Sequence, residues 1–507
     1  SLVFTMATIA LTSCVNDWLD LTPSDSIPSN SAITNYNDAK TALYGMYDGL
    51  QGNSTYTQYY ASRMFYYGDV RGDDMQARTQ GMRSSSCYEM KYTIDDAPNM
   101  WNVQYNVLRR ANRLIEAVEN NKITDAEKNQ ANVNNIYAQA KSVRALVHFD
   151  LVKVYGMPYS FDNGASMGVP IVTTPIDPLN ANAIPGRNTV AEVYTQIVKD
   201  LTEAIDSKAL NVSKSAGDNQ GFIDEWAAKA LLTRVYIYMG KNQEALDMAK
   251  NIIENSPYSL WTKAQYANAW DKNNANHINE MIFELVNSGS DDWADREGIA
   301  YLYHEDGYAD AICTKSFVDM LAQDPSDVRL DVILPVQLKT DDNGKPTDMY
   351  KTYGDNRIFI NKFPMGSLGD MRLNNLPILR LSEVYLNAAE AAAKLNDKTS
   401  TAKYLNEIIK NRTDDTKQLV TESTATLERV LLERRKELVG EGQRFFDAMR
   451  NNETVTRYTN EDEKGWHYSI NKESQVFDRT YFRTILPIPV SETNANPTLK
   501  AQQNPGY

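Results

Sequence analysis

Histidine and cysteine are scarce in this chain, at four and three among 507 residues. The three cysteines, Cys14, Cys87 and Cys313, contain no CxxC pair, so neither a zinc ribbon nor a disulfide framework holds the fold. Cys87 and Cys313 read either as two buried thiols or as one long-range disulfide. The histidines (His148, His277, His304 and His467) form no HExxH motif, and no GxSxG, P-loop or Rossmann run occurs. Nucleophilic and metal catalysis are left without a visible constellation, and no metal or cofactor is expected. His148 lies inside the apolar run RALVHFDLV and reads as a satisfied core residue. Positive charge is in the minority: 52 basic against 66 acidic side chains give a net charge of -14, which repels phosphate backbones and argues against nucleic acid as a partner. Beyond the first residues no apolar run is long enough to cross a bilayer. What is plentiful is core-forming and ring-bearing material, 42% hydrophobic residues and 30 tyrosines.

The one apolar run of note is Leu2 to Leu11, ending in Thr12-Ser13-Cys14 and followed by a polar, proline-containing stretch from Asn16 to Asn30. Its length suits the hydrophobic region of a signal peptide. Leu11-Thr12-Ser13-Cys14 resembles a lipobox, in which small residues precede a cysteine that receives a lipid. Residues 1–13 are therefore expected to be a signal-peptide remnant, and residues 14–30 a lipidated cysteine with its tether. Each CH₂ buried in the membrane would contribute about 0.8 kcal/mol to anchoring through Cys14.

From Asp38 onward helical periodicity dominates, as in Leu108, Ala111, Ile115 and Val118, spaced by three and four residues. Trp226 to Pro257 resembles a tetratricopeptide unit, with Leu232, Tyr236, Gly240, Ala245 and Pro257 at that repeat's offsets. Gly240 permits the tight turn between the paired helices, and Ala245 their close approach. Looser echoes run over Tyr137 to Tyr155 and Leu379 to Arg412. Between these pairs lie Gly52 to Met100, Pro158 to Asn188, Ser256 to Asp310 and Gln323 to Asn375, all rich in loop-forming residues. The expected fold is mainly α, a tetratricopeptide-like scaffold of helical pairs with long irregular loop insertions, forming one unit over residues 31–507.

Several stretches taken together resemble the SusD/RagB family of outer-membrane nutrient-binding lipoproteins. They are Asp17-Trp18-Leu19-Asp20; Trp101, Tyr105 and Ala111-Asn112; Arg144-Ala145, Phe149-Asp150-Leu151 and Tyr155-Gly156, leading to Gly168-Val169-Pro170; LPILRLSEVYLNAAEA (376–391); ERRKELVGEGQRFFDAMR (433–450); and, at the C-terminus, Pro487-Ile488-Pro489 and Gln503-Asn504-Pro505-Gly506-Tyr507. The resemblance implies a helical scaffold, glycan binding at the cell surface, and a lid role over a TonB-dependent transporter of the SusC type.

Sugar binding asks for flat rings against C–H faces, edged by hydrogen-bonding side chains. Two loops offer the mixture: Tyr66, Tyr67, Arg71, Asp73 and Asp74 in the first, and Trp293, Tyr301, Tyr303 and Tyr308 in the second, where Asp291 and Asp292 precede the tryptophan. Trp101 reads instead as core. The dense set Glu433, Arg434, Glu437, Glu441, Arg444 and Asp447 reads as structural ion pairs, and Asp341-Asp342-Asn343-Gly344 as a turn, its glycine being misplaced for a calcium loop. A binding protein without catalysis is the leading expectation. A surface glycoside hydrolase built on loop carboxylates and a helical-repeat adaptor for protein partners are the alternatives.

Overall fold

The computed structural model describes residues 32–52, 59–78, 83–176, 185–287, 297–333, 358–364, 369–457, 467 and 470–507. Cys14, Asp291, Asp292, Trp293 and the turn at Asp341 to Gly344 lie outside them.

The long helices, numbered in chain order, are α1 (Tyr36–Gln51), α2 (Trp101–Glu119), α3 (Gln130–Tyr155), α4 (Val190–Asp206), α5 (Glu225–Met239), α6 (Asn242–Asn255), α7 (Leu381–Lys394), α8 (Lys398–Lys410) and α9 (Leu427–Leu438). Each of the first six packs on its successor. The stack then continues across the insertion of residues 256–380, because α7 packs on α6 as well as on α5 and α8, and α9 packs on α7. This is the tetratricopeptide-like arrangement. Among the described residues no helix is long and apolar enough to cross a membrane.

Local chemistry explains the ends of these helices. Thr189 caps α4 in a reciprocal capping box with Glu192, and Asp224 caps α5 by accepting from the Ala227 N–H at 2.8 Å. Gly240 ends α5 at φ +69°, a left-handed conformation that glycine adopts without strain, and α6 begins two residues later. Ala245 is fully buried where α6 meets the stack. On α2, Leu108, Ala111 and Ile115 are buried while Val118 is half-buried at the edge of the stripe.

The residues quoted for the family resemblance tie segments together. Arg144 on α3 donates to Asp200 on α4 at 2.7 and 2.8 Å and to the Asn112 side chain at 3.0 Å, and Asn112 in turn donates to the Val172 carbonyl at 3.0 Å. The segment after Gly168-Val169-Pro170 is thereby strapped across α2 and α3. At the C-terminus the Gln503 amide both donates to and accepts from the Ile488 backbone at 2.8 Å, and Asn504 donates to the carbonyls of Tyr155 and Leu486. These motifs hold the chain's end against the end of α3.

His148 is fully buried and bonded at both nitrogens: Nδ1 lies 3.0 Å from the Arg144 carbonyl, and Nε2 accepts from the Val172 N–H at 3.2 Å. That pattern requires the neutral ring, and burial pushes its pKa down to about 4. Between that value and the ordinary 6.5 the unfolded chain takes up a proton that the folded chain refuses. Stability from this group is therefore complete above pH 6.5 and is lost as the pH falls toward 4. Comparing the wild type with His148→Gln across a pH series of thermal melts should show a pH-dependent loss of about 3 kcal/mol in the wild type that the variant lacks.

The insertions contain more order than the sequence pattern predicts. Short helices form at Arg63–Asp69, Ser85–Glu89 and Ile299–Tyr303, and two strand pairs join distant segments. β1 (Met75–Ala77) pairs antiparallel with β3 (Ala311–Cys313), and β2 (Met281–Leu285) with β4 (Leu376–Arg380), which leads directly into α7. Cys87 and Cys313 are both buried and free, so the two-thiol reading holds.

Candidate functional site

The β1–β3 pair brings the two ring-bearing loops of the sequence together and sorts their residues. The Arg78 N–H donates to the Asp310 carbonyl at 2.8 Å, extending the ladder. The Asp310 carboxylate accepts from the Arg83 N–H at 3.0 Å and from the Ser84 N–H and hydroxyl at 2.9 and 2.5 Å. Residues 83–84 are thus pinned beside the turn that follows the Ile299–Tyr303 helix. That turn closes with the Tyr308 N–H donating to the Tyr301 carbonyl at 2.8 Å, an approach that requires Gly307, where an added Cβ would stand 2.1 Å from the same carbonyl oxygen.

The turn sets two half-exposed rings together. Tyr301 and Tyr308 lie 5.1 Å apart between centroids at 65°, and the Arg83 guanidinium sits 3.9 Å from the Tyr308 centroid. Arg83 is oriented by a two-pronged pair with Glu297 at 2.5 and 2.6 Å, with both side chains about one-third exposed (33% and 28%). Arg372, paired in the same manner with Asp370, adds a second guanidinium whose electrostatic field reaches Tyr301. Rings, fixed guanidiniums and water-accessible edges make a platform suited to a polyhydroxylated ring.

The remaining sequence candidates are placed inside the protein. Tyr67 is fully buried against Phe445 and Phe446, and the buried Arg71 guanidinium is clasped between the Tyr67 and Phe445 rings at 4.1 and 4.2 Å. Tyr66 is buried and accepts from Arg63 Nε at 3.0 Å, with burial pushing its hydroxyl up to about 12. Asp73 and Asp74 are engaged by Arg444 and Arg435, which outweigh burial and hold the Asp73 carboxyl well below its ordinary value. Tyr303 is fully buried and donates to Asp69 at 2.8 Å, the carboxyl of which burial pushes up to about 8. Five of these six are buried and Asp73 is half-buried under Arg444, so all serve internal packing and ion pairs, whereas Tyr301 and Tyr308 keep half-exposed rings. Arg83, Glu297 and Arg372 escaped the sequence reading because what singles them out is their place in space: Arg83 meets Glu297 and the Tyr308 ring, both far along the chain.

With the geometry in place, the comparisons decide the family. The SusD family model matches residues 199–507, and a model described as starch-binding associating with outer membrane matches residues 17–237. The chain belongs to the SusD family. A crystal structure of a SusD superfamily protein from Bacteroides thetaiotaomicron is 38% identical, covering 93% of this chain and 100% of its own, with a TM-score of 0.81. A curated SusD-like protein of Formosa agariphila is 23% identical over 100% of this chain and 99% of its own length. A structure named as a laminarin-binding SusD-like protein shares the fold at 23% identity and a TM-score of 0.66, covering 94% of this chain and 100% of its own. The SusD-family scaffold is therefore continuous through the segments that carry the platform.

Proposed function

We propose that this SusD-family chain binds a glycan at the Tyr301–Tyr308 platform on the bacterial surface, is anchored in the outer membrane by lipid on Cys14, and hands its ligand to a TonB-dependent transporter of the SusC type. The observation that carries the binding role is the half-exposed ring pair with Arg83 fixed by Glu297. Trp293, which precedes these rings in the same stretch of sequence, is proposed to supply a further ring. The laminarin ligand named for a relative of the same fold makes β-glucans the first class to test. The role is binding and not hydrolysis: Glu297 is committed to Arg83 and Asp310 to the 83–84 backbone.

Titrating the protein against a panel of polysaccharides by calorimetry or affinity electrophoresis should give binding to at least one, with no reducing ends released on long incubation. Binding to none of them would remove the glycan role, and reducing-end release would make the protein a hydrolase. In cells Cys14→Ser should shift the protein from the membrane fraction to the soluble fraction, and co-purification should recover the transporter with the anchored form.

A further inference from the structure

We propose that an open cleft along the first turns of α2 is a second binding site, for a small zwitterion whose ammonium meets Glu492 and whose carboxylate meets Arg109. The cleft holds about 320 Å³, at the lower end of the range of about 300–1,000 Å³ for small-molecule pockets. It shares no residue with the ring platform. Its floor is one stripe of α2, where Trp101, Tyr105 and Arg109 recur every four residues, with Asn102 and Asn106 beside them. Glu492, from the short helix Val490–Ala495, closes one end.

The wall is rigid. Trp101 and Tyr105 pack with centroids 4.7 Å apart, and the Tyr105 hydroxyl donates to the Pro170 carbonyl at 2.8 Å. The charges, by contrast, are unspent among the described residues. Among the described residues neither Glu492 nor Arg109 has an ion-pair partner. Arg109 makes one side-chain hydrogen bond, to Asn106 Oδ1 at 2.8 Å, and the charges that register on it are the like charges of Arg113 and Arg110. At the other end Glu492 is half-buried, and the group it meets is the neutral indole N–H of Trp101, which leaves its charge without a counter-charge among the described residues.

Charges withdrawn from water are ordinarily paired. Here an acid and a base of opposite sign stand half-withdrawn in one cleft without neutralising each other, since Trp101 and Arg109 are separated by about 12 Å along the helix axis at 1.5 Å per residue. A molecule bearing an ammonium at one end and a carboxylate at the other satisfies both, with Asn102 and Asn106 placed to bond its polar middle. Two or three extended residues of a peptide, at about 3.3–3.6 Å each, reach across once the arginine side chain is counted.

Calorimetric titration of the full chain with diglycine and triglycine tests this, alongside their N-acetylated and C-amidated forms. The free peptides should bind, and each block should weaken binding by about tenfold or more, the loss of one charge-assisted hydrogen bond. Arg109→Ala should reproduce the loss caused by amidation, and Glu492→Gln that caused by acetylation. No binding of either free peptide would overturn the proposal, as would blocked peptides or a neutral hexose binding as tightly as triglycine. The blocked peptides keep the test independent of whether the variants fold.

Discussion

Glu437→Ala should destabilise the protein by about 3–5 kcal/mol, the usual cost of removing one partner from a buried ionic network. Glu437 on α9 is fully buried and accepts from Arg412 at 2.9 Å through each of its two oxygens, from Arg380 at 3.0 Å and from Arg329 at 3.3 Å. Glu280 shares two of these arginines, bonding Arg380 at 2.5 Å and Arg412 at 3.2 Å, and Glu441 pairs with Arg380 and Lys362. Burial alone would raise the Glu437 carboxyl, yet Arg412 and Arg380 outweigh it and hold the group well below the usual carboxylate range. The network gathers the start of β2, the end of β4, the residues after α8 and the body of α9, so the insertion and the helical stack share one electrostatic knot. Alanine leaves Arg412 with Glu280 as its remaining carboxylate among the described residues, while Arg380 keeps Glu280 and Glu441 and Arg329 keeps Asp327 and Glu433. Urea unfolding followed by circular dichroism measures the loss. The control is Glu407→Ala, which breaks the exposed pair with Lys410 and should change stability by no more than about 0.5 kcal/mol.

The dense charge of residues 433–450 was legible as structural from its helical spacing, and the helical pairs around Gly240 and Ala245 from their offsets, because both signals are local. His148 was legible for the same reason: an apolar helix surrounds it in sequence as in space. The platform was only half legible. Tyr66, Tyr67, Arg71, Asp73 and Asp74 look like a sugar-binding loop in sequence, but Tyr66 is held by its neighbour Arg63 and the other four by partners hundreds of residues away: Phe445, Phe446, Arg435 and Arg444. A run of tyrosines in a loop gives no hint of whether it will cover or be covered. Tyr303, two residues from Tyr301, faces inward because the helix turns it toward Asp69. The strand pairs were invisible since each strand is short and its partner remote, as Met75 is from Cys313.

Tyr308→Ala should weaken the best glycan of the panel by about thirtyfold or more, equivalent to about 2 kcal/mol, the truncation cost of an aromatic anchor in a binding hot spot. The effect exceeds that of a lone exposed ring because Tyr308 carries others: its ring supports the Arg83 guanidinium at 3.9 Å and packs against Tyr301 at 5.1 Å, and its carbonyl accepts from Arg78. Alanine keeps the last of these, a backbone contact, and removes the other two. Arg83 then keeps Glu297 but loses the surface that fixes its plane, so the hydrogen-bond donors of the platform lose their direction along with the ring. Folding should be little affected, as the ring is half-exposed, and the thermal midpoint serves as the check. Tyr67→Phe provides the contrast. Its buried hydroxyl has no hydrogen-bond partner among the described residues, so its removal should leave glycan affinity within about twofold, while an equal loss in both variants would place the ligand elsewhere on the molecule.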